Sequence, residues 1–273
     1  MRLTALSVLK ANPLRAALAV AVVSLLAACS STVVDKTETW SPNKIYSEAR
    51  DEMGGGGFDK AIGLFEKLEG RAAGTPLAQQ AQLEKAYAQF KSREPAQAQA
   101  TLDRFIKLHP ASPALDYALY LKGIINFNDD LGLFGSLAKQ DLSERDQKAG
   151  KESFESFKEL VSRFPDSRYA PDSKLRMTYI INSLAQYEVH VARYYYTRGA
   201  YVAAINRAQT AVTDFQNVPA SEEALFIMTQ SYAALGMDTL ASDTRRVLEK
   251  SFPQSDYLTK GYKSVSGPWW KIW

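Results

Sequence analysis

Apolar positions recur along this chain with helical spacing, in short amphipathic blocks separated by prolines. Ala61, Phe65 and Leu68 form one such block. Ala98, Leu102 and Phe105 form a second, and Ala204, Ala208 and Ala211 a third. Phe157 with Leu160, and Ala241 with Leu248, continue the pattern. Residues three, four and seven apart share one face of a helix, so each block predicts a helix with a single buried stripe. No strand-type alternation of any length interrupts them. A glycine suited to a tight inter-helix turn precedes three of the blocks: Gly56, Gly199 and Gly236.

The prolines set a period. Pro76 and Pro110 are 34 residues apart, as are Pro219 and Pro253, while Pro110, Pro165 and Pro219 are spaced by 55 and 54. A small residue, then larger apolar residues, then a proline about a dozen positions on is the tetratricopeptide pattern, whose period is 34. The fold class read from the sequence is therefore all-α, a tetratricopeptide-repeat solenoid of about five hairpins. These run over 42–76, 77–110, 111–165, 166–219 and 220–253, with a last helix near 254–265. The third hairpin carries an inserted loop over 128–150, and the first helix of the fourth is lengthened, from about Asp172 to Arg198. Ser112, Ser167, Ser221 and Ser255 each follow a proline by two positions and are expected to N-cap the next helix. Pro113 is expected at a first helical position, where its missing N–H is harmless.

The first 28 residues read as a secretory signal rather than as fold. Arg2, Lys10 and Arg15 precede an apolar run, Ala17 to Ala28, too short to span a bilayer comfortably. The run stops at Cys29, the one cysteine of the chain. A lone cysteine in an exported protein has no internal disulfide partner. Leu26-Ala27-Ala28-Cys29 resembles a bacterial lipobox, which implies covalent diacylglycerol and an N-acyl chain on Cys29. Ser30, in place of an inner-membrane retention aspartate, favours the outer membrane. Residues 29–41 are read as the lipidated N-terminus and a flexible tether, 42–265 as the solenoid and 266–273 as a Trp-rich tail.

Charge and chemistry narrow the function further. The three signal cations account for the whole excess of 33 Lys plus Arg over 30 Asp plus Glu. A balanced mature chain has no electrostatic reason to seek nucleic acid. His109 and His190 are 81 residues apart, His109 at a helix end and His190 within a helix. Asp129-Asp130 reads as a solvated turn, and Gly54 to Gly57 as a turn without the lysine of a phosphate loop. No catalytic, metal or cofactor site is read. Tyr194-Tyr195-Tyr196 spans nearly a helical turn, so at least one ring is expected at the surface. The tail Trp269-Trp270-Lys271-Ile272-Trp273 has two readings, a cap over the last hairpin or a docking peptide for a partner.

Particular stretches resemble the BamD family, lipoproteins of the β-barrel assembly machinery. They are PNKIY at 42–46, LAQQAQLEKAYAQFK at 77–91, LDRFIKLHPASPALDYALYLKGI at 102–124, LSERD at 142–146 and YEVHVARYYYTRGAYVAAINRA at 187–208. The resemblance implies a lipid-anchored periplasmic scaffold on the outer membrane, joined to a BamA-like barrel subunit, to accessory lipoproteins and to unfolded outer-membrane proteins. It nominates Tyr194, Tyr195, Tyr196, Arg198, Gly199, Tyr201 and Arg207 for the BamA side. It nominates Tyr46, Gln79, Gln80, Tyr87 and Tyr117 for a groove receiving C-terminal targeting segments. In the turn Arg71-Ala72-Ala73-Gly74-Thr75-Pro76 the aromatic pair common in relatives is absent, which puts the family's substrate contacts there in question. The alternative reading is a repeat lipoprotein for another envelope assembly, such as a pilus secretin.

Overall fold

Small residues at a repeating helical position let pairs of helices approach closely, and a computed structural model shows the result as stacked antiparallel hairpins. It describes residues 35–127 and 147–261. Among them are eleven helices and no strand: α1 (Pro42–Gly54), α2 (Phe58–Arg71), α3 (Pro76–Lys91), α4 (Pro95–Leu108), α5 (Leu115–Asn126), α6 (Gln147–Arg163), α7 (Ala170–Thr197), α8 (Tyr201–Asp214), α9 (Ala220–Ala234), α10 (Asp238–Ser251) and α11 (Asp256–Lys260). From α1 to α10 each helix packs on its neighbour in sequence, and α3 also meets α5 and α7 meets α9. Contact confined to neighbours in this way is the mark of a solenoid. The secretory segment, Cys29, Asp129-Asp130 and the 266–273 tail lie outside the described residues.

The buried stripe recurs in register on the second helix of each hairpin. Ala61, Phe65 and Leu68 are fully buried in α2, as are Ala98, Leu102 and Phe105 in α4, and Ala204, Ala208 and Ala211 in α8. In α6 the small place belongs to Ser153, which the apolar pattern passed over. Its hydroxyl donates to the Gly123 carbonyl at 2.8 Å, satisfying a polar group that burial would otherwise penalise. A Cβ on Gly123 would lie 2.5 Å from the Phe157 ring, so this hairpin closes only around a glycine. At α10 the stripe thins to Ala241 and Leu248, and the place of Leu102 or Ala208 falls to Arg245, paired with Glu249 at 2.9 Å. A polar outer face of this kind ends a repeat array.

The inter-helix turns share one backbone device. Gly56, Gly199 and Gly236 have φ of +81°, +74° and +71°. In the second hairpin Arg93 takes the same place with φ +66°, a left-handed conformation that costs a side-chain-bearing residue about 1–2 kcal/mol.

Capping differs from the sequence expectation at three of four serines. Ser255 does cap α11, accepting the Tyr257 N–H at 3.2 Å. Ser112 and Ser167 lie upstream of the helix start, because successive turns follow each proline (the Leu115 N–H reaches the Ser112 carbonyl, the Ala170 N–H that of Ser167). Each instead accepts the N–H two residues on. Pro113 is accordingly outside α5, and Ser221 lies inside α9 and is buried. The prolines that open helices are Pro42 and Pro76, behind the N-caps Ser41 and Thr75, with Pro95 and Pro171. Two boundaries also move. α6 already begins at Gln147, inside the span read as insert, where a Cβ on Gly150 would meet Ile180 and Leu184 of α7 at 3.9 Å. The last helix is short, because Gly261 breaks it at φ +61°.

The second half of the presumed tether is folded. Thr37 is buried, and its carbonyl accepts from the Arg71 guanidinium at the end of α2. Asp35 accepts from Lys67 at 2.7 Å and from the Thr37 hydroxyl at 2.7 Å, which hold its carboxyl below its ordinary 3.8. Trp40 packs on the first-hairpin core, with Lys44 over its ring at 4.6 Å. Polar composition concealed this strap because the charged groups that hold it, Lys67 and Arg71, lie on a helix some thirty residues on.

Gly123→Ala is expected to cost about 1–3 kcal/mol by overpacking, and Arg93→Gly to add up to about 1 kcal/mol by relieving the left-handed strain; urea denaturation reads both. Arg71→Ala is expected to raise amide exchange over residues 35–40 and leave α4 to α10 unchanged. Because the Asp35 carboxyl is held low, the strap's electrostatic docking is present above about pH 4 and lost as pH falls below it, which exchange rates along a pH series would show.

Candidate functional site

The first helices of successive hairpins stand side by side and turn one face of each outward together. On α1 that face carries Tyr46, Arg50 and Met53, at spacings of four and three. On α3 it carries Gln80, Leu83, Glu84 and Tyr87, and α5 contributes Tyr117. The turn before α7 adds Arg168 and Tyr169. Arg50, Met53, Gln80, Leu83, Glu84, Tyr87, Ala114, Tyr117, Arg168 and Tyr169 together line one groove of about 540 Å³.

Met53, Leu83 and Ala114 share its lining with charged and polar groups, several of them held in place. Arg50 donates to Glu84 at 2.7 Å across α1 and α3, and Gln80 donates to the same carboxylate oxygen at 3.0 Å. Burial, and then Glu84, push the Tyr117 phenol up to about 12, so it stays a neutral hydroxyl. Burial and Glu84 also raise Tyr46. Tyr169 stacks on Tyr120 at 4.6 Å and lies 5.7 Å from Tyr117, which carries the aromatic surface from the third hairpin to the fourth.

Of the groove residues nominated from sequence, Gln80, Tyr87 and Tyr117 meet here, with Tyr46 beside them on α1. Gln79 is turned away: it accepts from the Ser112 hydroxyl at 3.1 Å in an adjoining depression edged by Leu108 and His109. Sequence reasoning missed Arg50, Glu84, Arg168 and Tyr169. Arg50 and Glu84 follow Tyr46 and Gln80 by four residues and were within reach of the helical period. Arg168 and Tyr169 carried no such signal.

The second nominated set lies in the fourth hairpin. Tyr194 is exposed near the end of α7 with Arg198 over its ring at 4.4 Å. Tyr195 and Tyr196 pack on the hairpin core, and Tyr196 meets Tyr201 across the Gly199 turn at 6.0 Å. Arg207 reaches back to Glu188, a buried carboxylate of α7, at 3.1 Å. It is thus half occupied within its own hairpin, and Glu188 is a further residue the sequence did not flag. Next to it Arg193 holds Glu223 of α9 through two bonds of 2.6 and 2.7 Å. Among the described residues no helix is long and apolar enough to cross a membrane, and no three metal-ligating side chains converge.

Comparison with known proteins places this architecture. A family described as YfiO, outer membrane lipoprotein, matches residues 38–248. The outer membrane protein assembly factor BamD of Neisseria meningitidis serogroup B is 46% identical over 91% of this chain and 95% of its own length. BamD of Xylella fastidiosa is 36% identical over 80% of this chain and 74% of its own, and that of Vibrio cholerae 33% over 83% and 93%. Crystal structures of TPR-like repeats from Podosopora anserina overlay with a TM-score of 0.35 at 14% identity, too loosely to bear on the fold. With the repeat, the groove and these relatives aligned across nearly its whole length, the chain belongs to the BamD family of outer membrane protein assembly factors.

Proposed function

We propose that the protein is a non-catalytic scaffold of outer-membrane β-barrel assembly, lipid-anchored through Cys29 and facing the periplasm. The observation that carries this reading is the groove across α1, α3 and α5. Tyrosine rings and aliphatic side chains line it, with charged groups at fixed positions, and the first helices of three hairpins share it. An extended apolar segment with a terminal aromatic residue suits such a surface: side chains enter between rings, and polar edges take up main-chain groups. The substrate is then the C-terminal targeting segment of an unfolded outer-membrane protein.

The barrel-forming subunit is assigned to the fourth hairpin, where Tyr194 and Arg198 present an exposed aromatic and cationic edge. Tyr and Arg are favoured where interfaces concentrate their binding energy. Arg207 has a double place in this reading, since its removal would also strand the buried Glu188 carboxylate. Accessory lipoproteins would complete the assembly. Acyl chains on Cys29 supply membrane attachment at about 0.8 kcal/mol per buried CH₂.

Depletion is expected to lower heat-modifiable, folded barrels and to accumulate periplasmic precursor; undiminished barrels on full depletion would overturn the assembly role. Tyr194→Ala is expected to reduce co-purification of the barrel subunit about tenfold, the scale of one interface anchor. Arg207→Ala is expected to lower thermal stability as well, which separates a structural loss from a contact loss.

A further inference from the structure

The N-terminal groove holds two guanidinium groups and one carboxylate among its lining residues. Arg50 and Glu84 neutralise each other at 2.7 Å. Arg168 is different. Its guanidinium lies over the Tyr169 ring, 4.8 Å from the centroid, and donates to the Tyr169 hydroxyl at 2.6 Å. Among the described residues no carboxylate pairs with it. Two acids of adjoining helices are engaged elsewhere: Asp116 accepts from the Ser167 hydroxyl at 2.6 Å and the Tyr117 N–H at 2.7 Å. Asp172 accepts from Tyr120 and Arg176.

An arginine stacked on an aromatic ring is held in place, and five N–H donors in a fixed fork leave enough to bind a planar anion through two bonds. The same groove is lined by the Met53 and Leu83 side chains and the rings of Tyr87 and Tyr117. A cation without a carboxylate partner, in a recess that also presents apolar side chains, favours a ligand with a negative charge next to an apolar side chain. The recess, about 540 Å³, accommodates a few residues rather than a long through-going segment. A chain terminus satisfies both conditions at once.

We infer that Arg168 binds the terminal carboxylate of an extended peptide whose last side chain, apolar or aromatic, rests against Tyr87, Tyr117 and Met53. This rests on the reading of the groove as a peptide site and adds what fixes the peptide's end and direction. An acidic side chain within the peptide offers the same chemistry, and the experiment separates the two sources.

The test uses the full chain in detergent and a fluorescent ten-residue peptide of alternating apolar and polar residues, without acids, ending in Phe. It is made as the free acid and as the C-terminal amide, and binding is read by anisotropy. The acid is expected to bind roughly ten- to a hundredfold more tightly than the amide, the scale of a charged hydrogen-bonded contact. Arg168→Gln is expected to remove that difference, weakening the acid by much more than the amide. Equal affinity of the two forms for the wild type would overturn the inference while leaving the groove reading intact. So would an Arg168→Gln chain that binds both forms more weakly by the same factor. An amidated peptide with one internal Glu that binds as tightly as the acid would reassign the contact to a side chain. Binding of neither form would overturn the groove reading itself.

Discussion

At one position in each second helix a side chain small enough to vanish between two backbones recurs: Ala61, Ala98, Ser153, Ala204 and Ala241. The large residues three, four or seven places on fill the space beside that contact, and so each hairpin closes with similar geometry. Everything functional in the molecule depends on this repetition. When hairpins are alike, their first helices line up, and side chains from α1, α3 and α5, some seventy residues apart in sequence, come to share one surface. Cores packed at this density tolerate little change in volume. At Gly123 even the Cβ is excluded, and Ser153 can take the small place because a glycine carbonyl is there to accept its hydroxyl.

Between hairpins the register is marked by charge. Glu69 of α2 lies 2.8 Å from Lys85 of α3 and 2.6 Å from Arg104 of α4, with the lysine almost fully buried. Glu188 with Arg207, and Arg193 with Glu223, tie α7 to α8 and to α9. Such pairs add little net stability once desolvation is counted, but each penalises a slipped arrangement that would strand a buried charge. They also explain why a nominated contact such as Arg207 is partly occupied by the scaffold. In the groove Arg50 is neutralised in the same way by Glu84. Arg168 stands apart because, among the described residues, it meets the Tyr169 ring and hydroxyl and no carboxylate.

The sequence disclosed the repeat because it is written in a period that physics imposes on every hairpin. The apolar stripes, the glycine turns at Gly56, Gly199 and Gly236 and the long α7 could all be read from spacing. What was hidden depended on three-dimensional partners. Arg93 holds a left-handed turn without being a glycine, so nothing in the one-letter string marks it. Ser112 and Ser167 have the composition of N-caps, yet the turns behind their prolines delay the helix past them. The strap around Thr37 looks like a solvated linker until Arg71 and Lys67 are placed beside it. Groove residues on helices were half legible, since Arg50 and Glu84 continue the period of Tyr46 and Gln80. Arg168 lies in an irregular turn more than a hundred residues from Arg50, and only the stacking of hairpins brings them together.

The central claim is a division of labour along the solenoid, with precursor held in the groove of the first hairpins and the barrel subunit held at the fourth. Site-specific photo-crosslinking in living cells addresses it most directly, with the probe placed at position 87 or at position 194 of the full chain. Position 87 is expected to capture unfolded outer-membrane precursors, and position 194 the barrel-forming subunit. Precursor captured at 194 and absent at 87, or the barrel subunit captured at 87, would contradict it.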